Sequence, residues 1–202
     1  QASAPSVEER PALDRWILSR TTACEAECAS AWEGLEPSRA LRALEQLIVD
    51  EISNWYIGRN RRRFWDSQDS ASQASAFATL HQVLTDVAVM VAPIIPFFAE
   101  ALWRRVGQKD SVHLQIFSQG ASYRDENLEA AMDPIMRAAT LGRSVRERVQ
   151  IRVRQPLSKV LVHIQGEQAL ASSPRAYEVA LKEELNVKEV EWVDGTPDFL
   201  QV

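Results

Sequence analysis

Sulfur, histidine and lysine are all scarce in this chain. Its 202 residues hold two cysteines, Cys24 and Cys28, and three histidines, His81, His113 and His163. A structural zinc site takes about four such ligands, and these are too scattered along the chain to supply them, so no metal site is expected. Two cysteines four apart share a helix face and are expected to be reduced thiols, as in a cytoplasmic protein. No unbroken apolar run reaches the roughly 18 residues that a membrane helix needs. The longest, Val87 to Ala99, is interrupted by Pro93 and Pro96. Gln1 to Pro11 lacks the basic-then-apolar order of a secretory signal. The first residue is not methionine, which suggests processing or excision from a longer chain. There is no glycine-rich phosphate loop, no nucleophile elbow and no His-x-x-x-His pair. Each histidine stands alone, so no catalysis is expected from these residues.

What the chain does have is an ordinary core and an unusual use of arginine. Hydrophobic residues make up 46%, enough for a stable interior. The net charge of −5 argues against a generally basic nucleic-acid binder. Yet nineteen of the 23 basic residues are arginine, and they cluster. Arg137 to Lys159 carries seven basic residues and one acid, Glu147, whereas Glu167 to Asp198 carries eight acids and three bases. A local basic patch on an acidic chain can still hold an anion.

Hydrophobic spacing predicts a mainly α chain. Residues 7–33 read as a helix, with Leu13, Trp16, Ile17 and Arg20 at helical intervals. Ser38 to Trp65 reads as one long amphipathic helix with Leu41, Leu44, Ile48, Ile52 and Trp55 on one stripe. Asp66 to Ser75 reads as a loop. Ala74 to Ala92 is a third helix with Phe77, Leu80, Leu84, Val87 and Val91 inward, and Pro93 and Pro96 open a fourth to about Arg105. Gly107 to Gly120 is irregular, with a short extended piece at Val112 to Phe117. Asn127 to Val149 is a fifth helix, in which Pro134 suits only a position near the start or a kink. The pattern then changes to a buried strand at Lys159 to Ile164, a helix at Pro174 to Leu185 and a half-exposed strand at Val187 to Val193. The expected architecture is a helical bundle over 1–150 followed by a small β-α-β subdomain over 151–202.

Two stretches stand out. SNWYIGRNRRRFW, Ser53 to Trp65, packs four arginines and four large aromatics into thirteen residues. At about 100° per residue, Arg59 continues the stripe of Ile48, Ile52 and Trp55. Arg62 and Arg63 flank it, and Arg61 points away. One reading ties the bundle together by pairing Arg59, Arg62 or Arg63 with carboxylates such as Asp86 or Glu100, since buried arginine is normally paired. The other makes Arg61, Arg62 and Trp65 part of an RNA surface, with guanidinium on phosphate and an aromatic ring on an unpaired base. GRSVRERVQIRVRQPL, Gly142 to Leu157, is the second. Arg143, Arg146 and Arg148 end a helix, where cations suit the dipole. Arg152 and Arg154 alternate with Ile151 and Val153, so an extended segment would face both to one side. That row is either a solvated basic face or a phosphate-tracking strip.

Taken in order, LDRWILSR (Leu13 to Arg20), EISNWYIGRNRRRFW (Glu51 to Trp65), TLHQVLTDVAVMVAPIIPFFAEALWRRV (Thr79 to Val106), SVHLQIF (Ser111 to Phe117) and GRSVRERVQIRVRQPL resemble the anticodon-binding region of class I isoleucyl-tRNA synthetases. The resemblance covers nearly all of the chain. The bundle and its APxxPFxAExLW segment are shared with the valyl and leucyl enzymes, while NRRRFW and (I/V)-R-V-R-Q-P-L point to the isoleucyl enzyme, in particular its eukaryote-like branch. Gly58 stands where a larger, often basic residue is expected. The resemblance implies a parent enzyme in the cytoplasm that activates isoleucine with ATP and Mg and attaches it to tRNA(Ile). The family's HIGH and KMSKS motifs do not occur here, and the four lysines, Lys109, Lys159, Lys182 and Lys188, never cluster. The chain therefore resembles a C-terminal part that recognises the anticodon stem-loop, without a cofactor of its own and expected as a monomer away from membranes. Arg61, Arg62, Arg63, Trp65, Arg143, Arg146, Arg152 and Arg154 are the expected tRNA contacts, with Arg59 and Trp55 structural. The equivalent domain of a valyl or leucyl enzyme, or a helical protein–protein interaction module, are the competing readings.

Overall fold

A computed structural model describes residues 5–65, 69–117, 123–163 and 177–193. The architecture is mainly α with a small α/β part, as the periodicity predicts. The structure divides into two compact units, after Asp125 rather than near residue 150. The fifth helix groups with the β-α-β tail for a local reason: it packs directly on the tail's helix.

The first unit is a helical bundle. A single 3-10 turn at Val7–Glu9 precedes Pro11, and α1 (Ala12–Glu33) starts only after it, so the helix expected from residue 7 begins later. Ser6 and Glu9 close that turn as a capping box. After a left-handed Leu35 (φ 55°), α2 (Pro37–Glu45) begins with proline in its first turn, where its missing N–H costs nothing. α2 runs without a break into a π-helical stretch (Gln46–Ile57) and then α3 (Gly58–Trp65). The single long helix is therefore continuous but not uniform. Wide i→i+5 turns hold about one residue more than α turns, so the buried face drifts. Leu44, Leu47, Ile52 and Tyr56 are buried, whereas Leu41 of the expected stripe is 47% exposed.

Asp69 starts α4 (Ser70–Val91) by accepting the Ser72 N–H at 3.0 Å, so Ser70 to Ser75 is helical rather than loop. Its inward face is Ala76, Thr79, Val83, Val87 and Met90, and Phe77 is half exposed. By length and composition alone α4 would cross a membrane, but that buried face is that of a bundle helix, and it packs on α1, α3 and α5. α5 (Pro96–Arg105) follows Pro96 at its first position. The segment expected to be extended forms a 3-10 turn at Val112–Leu114. Glu100 of α5 accepts the Val112 N–H at 2.9 Å and the Ser111 hydroxyl at 3.0 Å, pinning the turn.

In the second unit, α6 (Glu126–Arg148) continues through Pro134, which lies well inside the helix, is buried and forfeits one backbone bond. β1 (Leu157–Val162) and β2 (Val187–Trp192) pair in parallel, Leu157 opposite Val187 and Val160 opposite Val190. α7 (Glu178–Leu185) packs on α6 and β2 and buries Leu181 and Leu185. Ile164 and Pro174 to Ala176, the outer parts of the expected strand and helix, lie outside the described residues.

Candidate nucleic-acid interface

The end of α3 sorts its side chains into two directions. Tyr56, Asn60 and Arg63 fall at intervals of four and three, which keeps them on one face. That face meets Asp14, in the first turn of α1 and wholly buried. Asp14 accepts from Arg63 through both terminal nitrogens (2.7 and 2.8 Å), from the Tyr56 hydroxyl (3.0 Å) and from Ser75 Oγ (2.7 Å). Arg63 also donates to Ser72 Oγ (2.8 Å), the Ser72 carbonyl (2.9 Å) and Asn60 Oδ1 (2.9 Å). One carboxylate thus ties α1, the π-helical stretch, α3 and α4 together. Burial opposes the Arg63 charge most strongly, but the hydrogen bonds and charge of Asp14, together with the nearby Tyr56 and Asp69, outweigh it and hold the guanidinium proton more firmly. Burial, then the Asp14 charge, drive the Tyr56 phenol up from its usual range, so it stays a donor.

The buried ion pair is therefore the one the helical wheel anticipated, with different members. Its arginine is Arg63, not Arg59. The π-helical drift carries the inward face onto Arg63 and leaves Arg59 half exposed, its guanidinium 5.3 Å from the centre of the Trp55 ring. Its acid is Asp14, neither Asp86 nor Glu100, since Glu100 is engaged with Arg104 and the Val112 turn. Asp86 sits on α4 where burial, and then the charge of Glu25, push its carboxyl up to about 7. Trp55 is buried. A second buried acid escaped the sequence reading. Glu51 on the π-helical stretch is gripped by Arg20 of α1 at 2.9 to 3.1 Å and by Gln46 at 3.1 Å. Both members of each pair lie inside segments already singled out, and an acid within an otherwise apolar face was the available signal.

On the outer side of α3, Arg61 and Arg62 are exposed and Trp65 is 87% exposed. Phe64 does not join them. It packs edge-on against Tyr56 and Phe77, with ring centres 6.4 and 5.3 Å away. Two guanidinium groups and a bare indole thus share the last turn of the helix.

The second unit divides its arginines likewise. Arg146 is buried and donates to the carbonyls of Arg152 (3.0 Å), Gln155 (3.0 Å) and Leu185 (2.6 Å). It is a structural clamp on the segment that leads into β1. Arg143 pairs with Glu184 of α7 at 2.7 Å. A left-handed Gln150 (φ 55°) ends α6, and the chain turns at Val153 and Arg154 instead of extending. Asn186, itself left-handed (φ 48°), donates its side-chain amide to the Val153 and Arg154 carbonyls at 3.0 and 3.1 Å. Arg152 and Arg154 are both exposed, so a turn fixed by backbone clamps presents them, not an alternating strand. Among the described residues no group of His, Cys, Asp and Glu could hold a metal ion.

Comparison with known proteins places these residues in context. The family model described as the anticodon-binding domain of tRNA ligase matches residues 14–161. The isoleucine–tRNA ligase of Deinococcus radiodurans is 40% identical over 202 residues, covering 99% of this chain and 18% of that protein. That of Thermobifida fusca is 38% identical over 194 residues, 94% of this chain and 18% of the relative. That of Thermus thermophilus is 36% identical over 204 residues, 97% of this chain and 19% of the relative. The chain thus spans less than a fifth of the length of these curated relatives.

Proposed function

The chain belongs to the family of anticodon-binding domains of tRNA ligases, and from that premise we propose that it is the tRNA-recognising portion of an isoleucine–tRNA ligase. The observation that carries the specific reading is identity of 36–40% to isoleucine–tRNA ligases across almost the whole chain. The partner is tRNA(Ile), engaged at the anticodon stem-loop. Arg61 and Arg62 bind phosphate through planar forks, and the Trp65 ring stacks on an unpaired base. Arg152 and Arg154 hold the backbone, which positions the RNA without specifying sequence. Arg63 and Arg146 act indirectly, by fixing the elements that carry those contacts. Activation of isoleucine with ATP and Mg belongs to other parts of a cytoplasmic enzyme, since these 202 residues carry neither of the nucleotide motifs of the class.

Titration of the chain with fluorescent tRNA(Ile), and with the same tRNA bearing a valine or leucine anticodon, tests this. Tighter binding to the isoleucine anticodon, weakening steeply with salt, is expected. Preference for either altered anticodon would reassign the domain to the valyl or leucyl enzyme, and salt-insensitive or absent binding would sink the RNA reading. Isoleucine-dependent pyrophosphate exchange by the chain alone is expected to stay at the blank.

A further inference from the structure

On the far side of α1 from Asp14's partners lies a cleft of about 630 Å³, walled by α1, α2 and the start of the π-helical stretch. Its volume is that of an ordinary small-ligand site, but its lining is cationic. Arg20, Arg39, Arg42 and Arg124 line it against one carboxylate, Glu27. Arg39 is held by Glu27 and Glu36 and Arg20 by Glu51, so the charge left for a ligand is centred on Arg42, and a concave site focuses that charge on an anion. We infer that this cleft is the seat of an RNA backbone phosphate, a contact distinct from the α3 end and the Arg152 turn.

The helix spacing explains how the cleft arises. Arg39, Arg42 and Gln46 recur at three and four residues, so they share a face. On α1, Arg20, Ala23, Glu27 and Ser30 do the same. Ala23, Ala26 and Ala43 keep the floor low, so a sugar-phosphate chain can approach both helices. The arginines differ in what they have left to give. Arg39 is committed, with Nε and Nη2 on Glu27 and Nη1 on Glu36. Arg20 is held on Glu51. Arg42 is exposed and has no carboxylate partner among the described residues. The pinned arginines shape the walls, and Arg42 closes on the phosphate, with the Ser30 hydroxyl nearby as a neutral donor. The ligand is polymeric because the chain belongs to an RNA-binding family. The inference rests on that reading.

The experiment uses the whole 202-residue chain with tRNA(Ile), and inorganic phosphate as a separate arm. Arg42→Gln should weaken tRNA binding about five- to tenfold at 0.1 M salt and lower the salt slope by about 0.7–0.9, the loss of one phosphate contact. Arg42→Lys should restore most of the slope. Arginine modification by hydroxyphenylglyoxal, read by mass spectrometry, should show Arg42 protected by saturating tRNA and not by inorganic phosphate at the same phosphate concentration. If tRNA binds but Arg42 is modified at its free rate, or Arg42→Gln binds normally, the cleft assignment falls while the tRNA reading stands. Equal protection by inorganic phosphate would make the cleft a free-anion site and overturn the RNA assignment. If no tRNA binds at any salt, both readings fall together.

Discussion

Asp14 gives the sharpest test at the scale of single residues. Removing its arginine leaves a wholly buried carboxylate without its counter-charge, so Arg63→Ala should cost about 3–5 kcal/mol. Arg61→Ala, on the exposed side of the same turn, should cost under about 0.5 kcal/mol, and Arg59→Ala should fall well short of Arg63→Ala. Urea denaturation of the three variants checks the order, and near-equal midpoints would refute it. Asp86 makes a different prediction. Its carboxyl is held up to about 7 by burial and by Glu25, against about 3.9 in an unfolded chain. The folded state therefore keeps a proton that the unfolded state has lost. Where the native state binds more protons, stability falls as pH rises, here from about pH 4 to 7. Asp86→Asn should stabilise the protein by about 1–3 kcal/mol at pH 8, with the gain vanishing near pH 4. A gain independent of pH would exclude this origin. That a buried arginine pair exists was legible in the sequence, because arginine next to an apolar stripe must find a partner. Which arginine was not, because the assignment assumed a constant 100° per residue across a stretch that does not keep it.

The long periodic elements were readable because helix spacing is a strong local signal. α1, α4, α5 and α6 all lie where their apolar residues recur. Their starts were less so. The serine- and alanine-rich run before Phe77 resembled a loop, yet its small residues are what allow α4 to approach the Asp14 hub, with Ser75 and Ala76 buried there. The Val112 turn looked extended because β-branched and apolar residues favour strands, but a carboxylate from α5 fixes it otherwise. The α6–α7 contact yields a prediction at this scale. A Cβ on Gly142 would come within 2.6 Å of both terminal carbons of Leu185, which is 2% exposed, so that side chain would have to shift within a packed interior. Gly142→Ala should therefore destabilise the second unit by about 1–3 kcal/mol, despite the better helix propensity of alanine. Hydrogen exchange should show faster opening of α6 and α7 while α1 and α4 keep their protection. Unchanged exchange in α7 would count against the close approach.

Across the whole molecule, exposed arginines should act on RNA and clamped ones on stability. The double variant Arg152→Gln with Arg154→Gln should weaken cognate and non-cognate tRNA alike, with a salt slope shallower by roughly 0.7–0.9 per lost contact. Trp65→Ala should reduce discrimination between them. Arg146→Gln should lower stability first, since four backbone carbonyls lose their donor. A double variant that binds normally would leave that turn a solvated face. Composition made the basic clusters visible, but not this partition, because burial of one arginine beside exposed neighbours is decided by contacts far apart in sequence, such as Arg146 with Leu185. The π-helical stretch has a last consequence, for descent rather than energy. Where turns have absorbed surplus residues, the count of residues between Leu44 and Asn60 sets the bearing of everything beyond. Exposed letters there, such as Val49 and Asp50, are free to be rewritten. Adding or dropping one would swing Arg61, Arg62 and Trp65 by about 100° and take Arg63 off Asp14. Lineages carrying this domain should therefore vary the spelling of that segment and conserve its length.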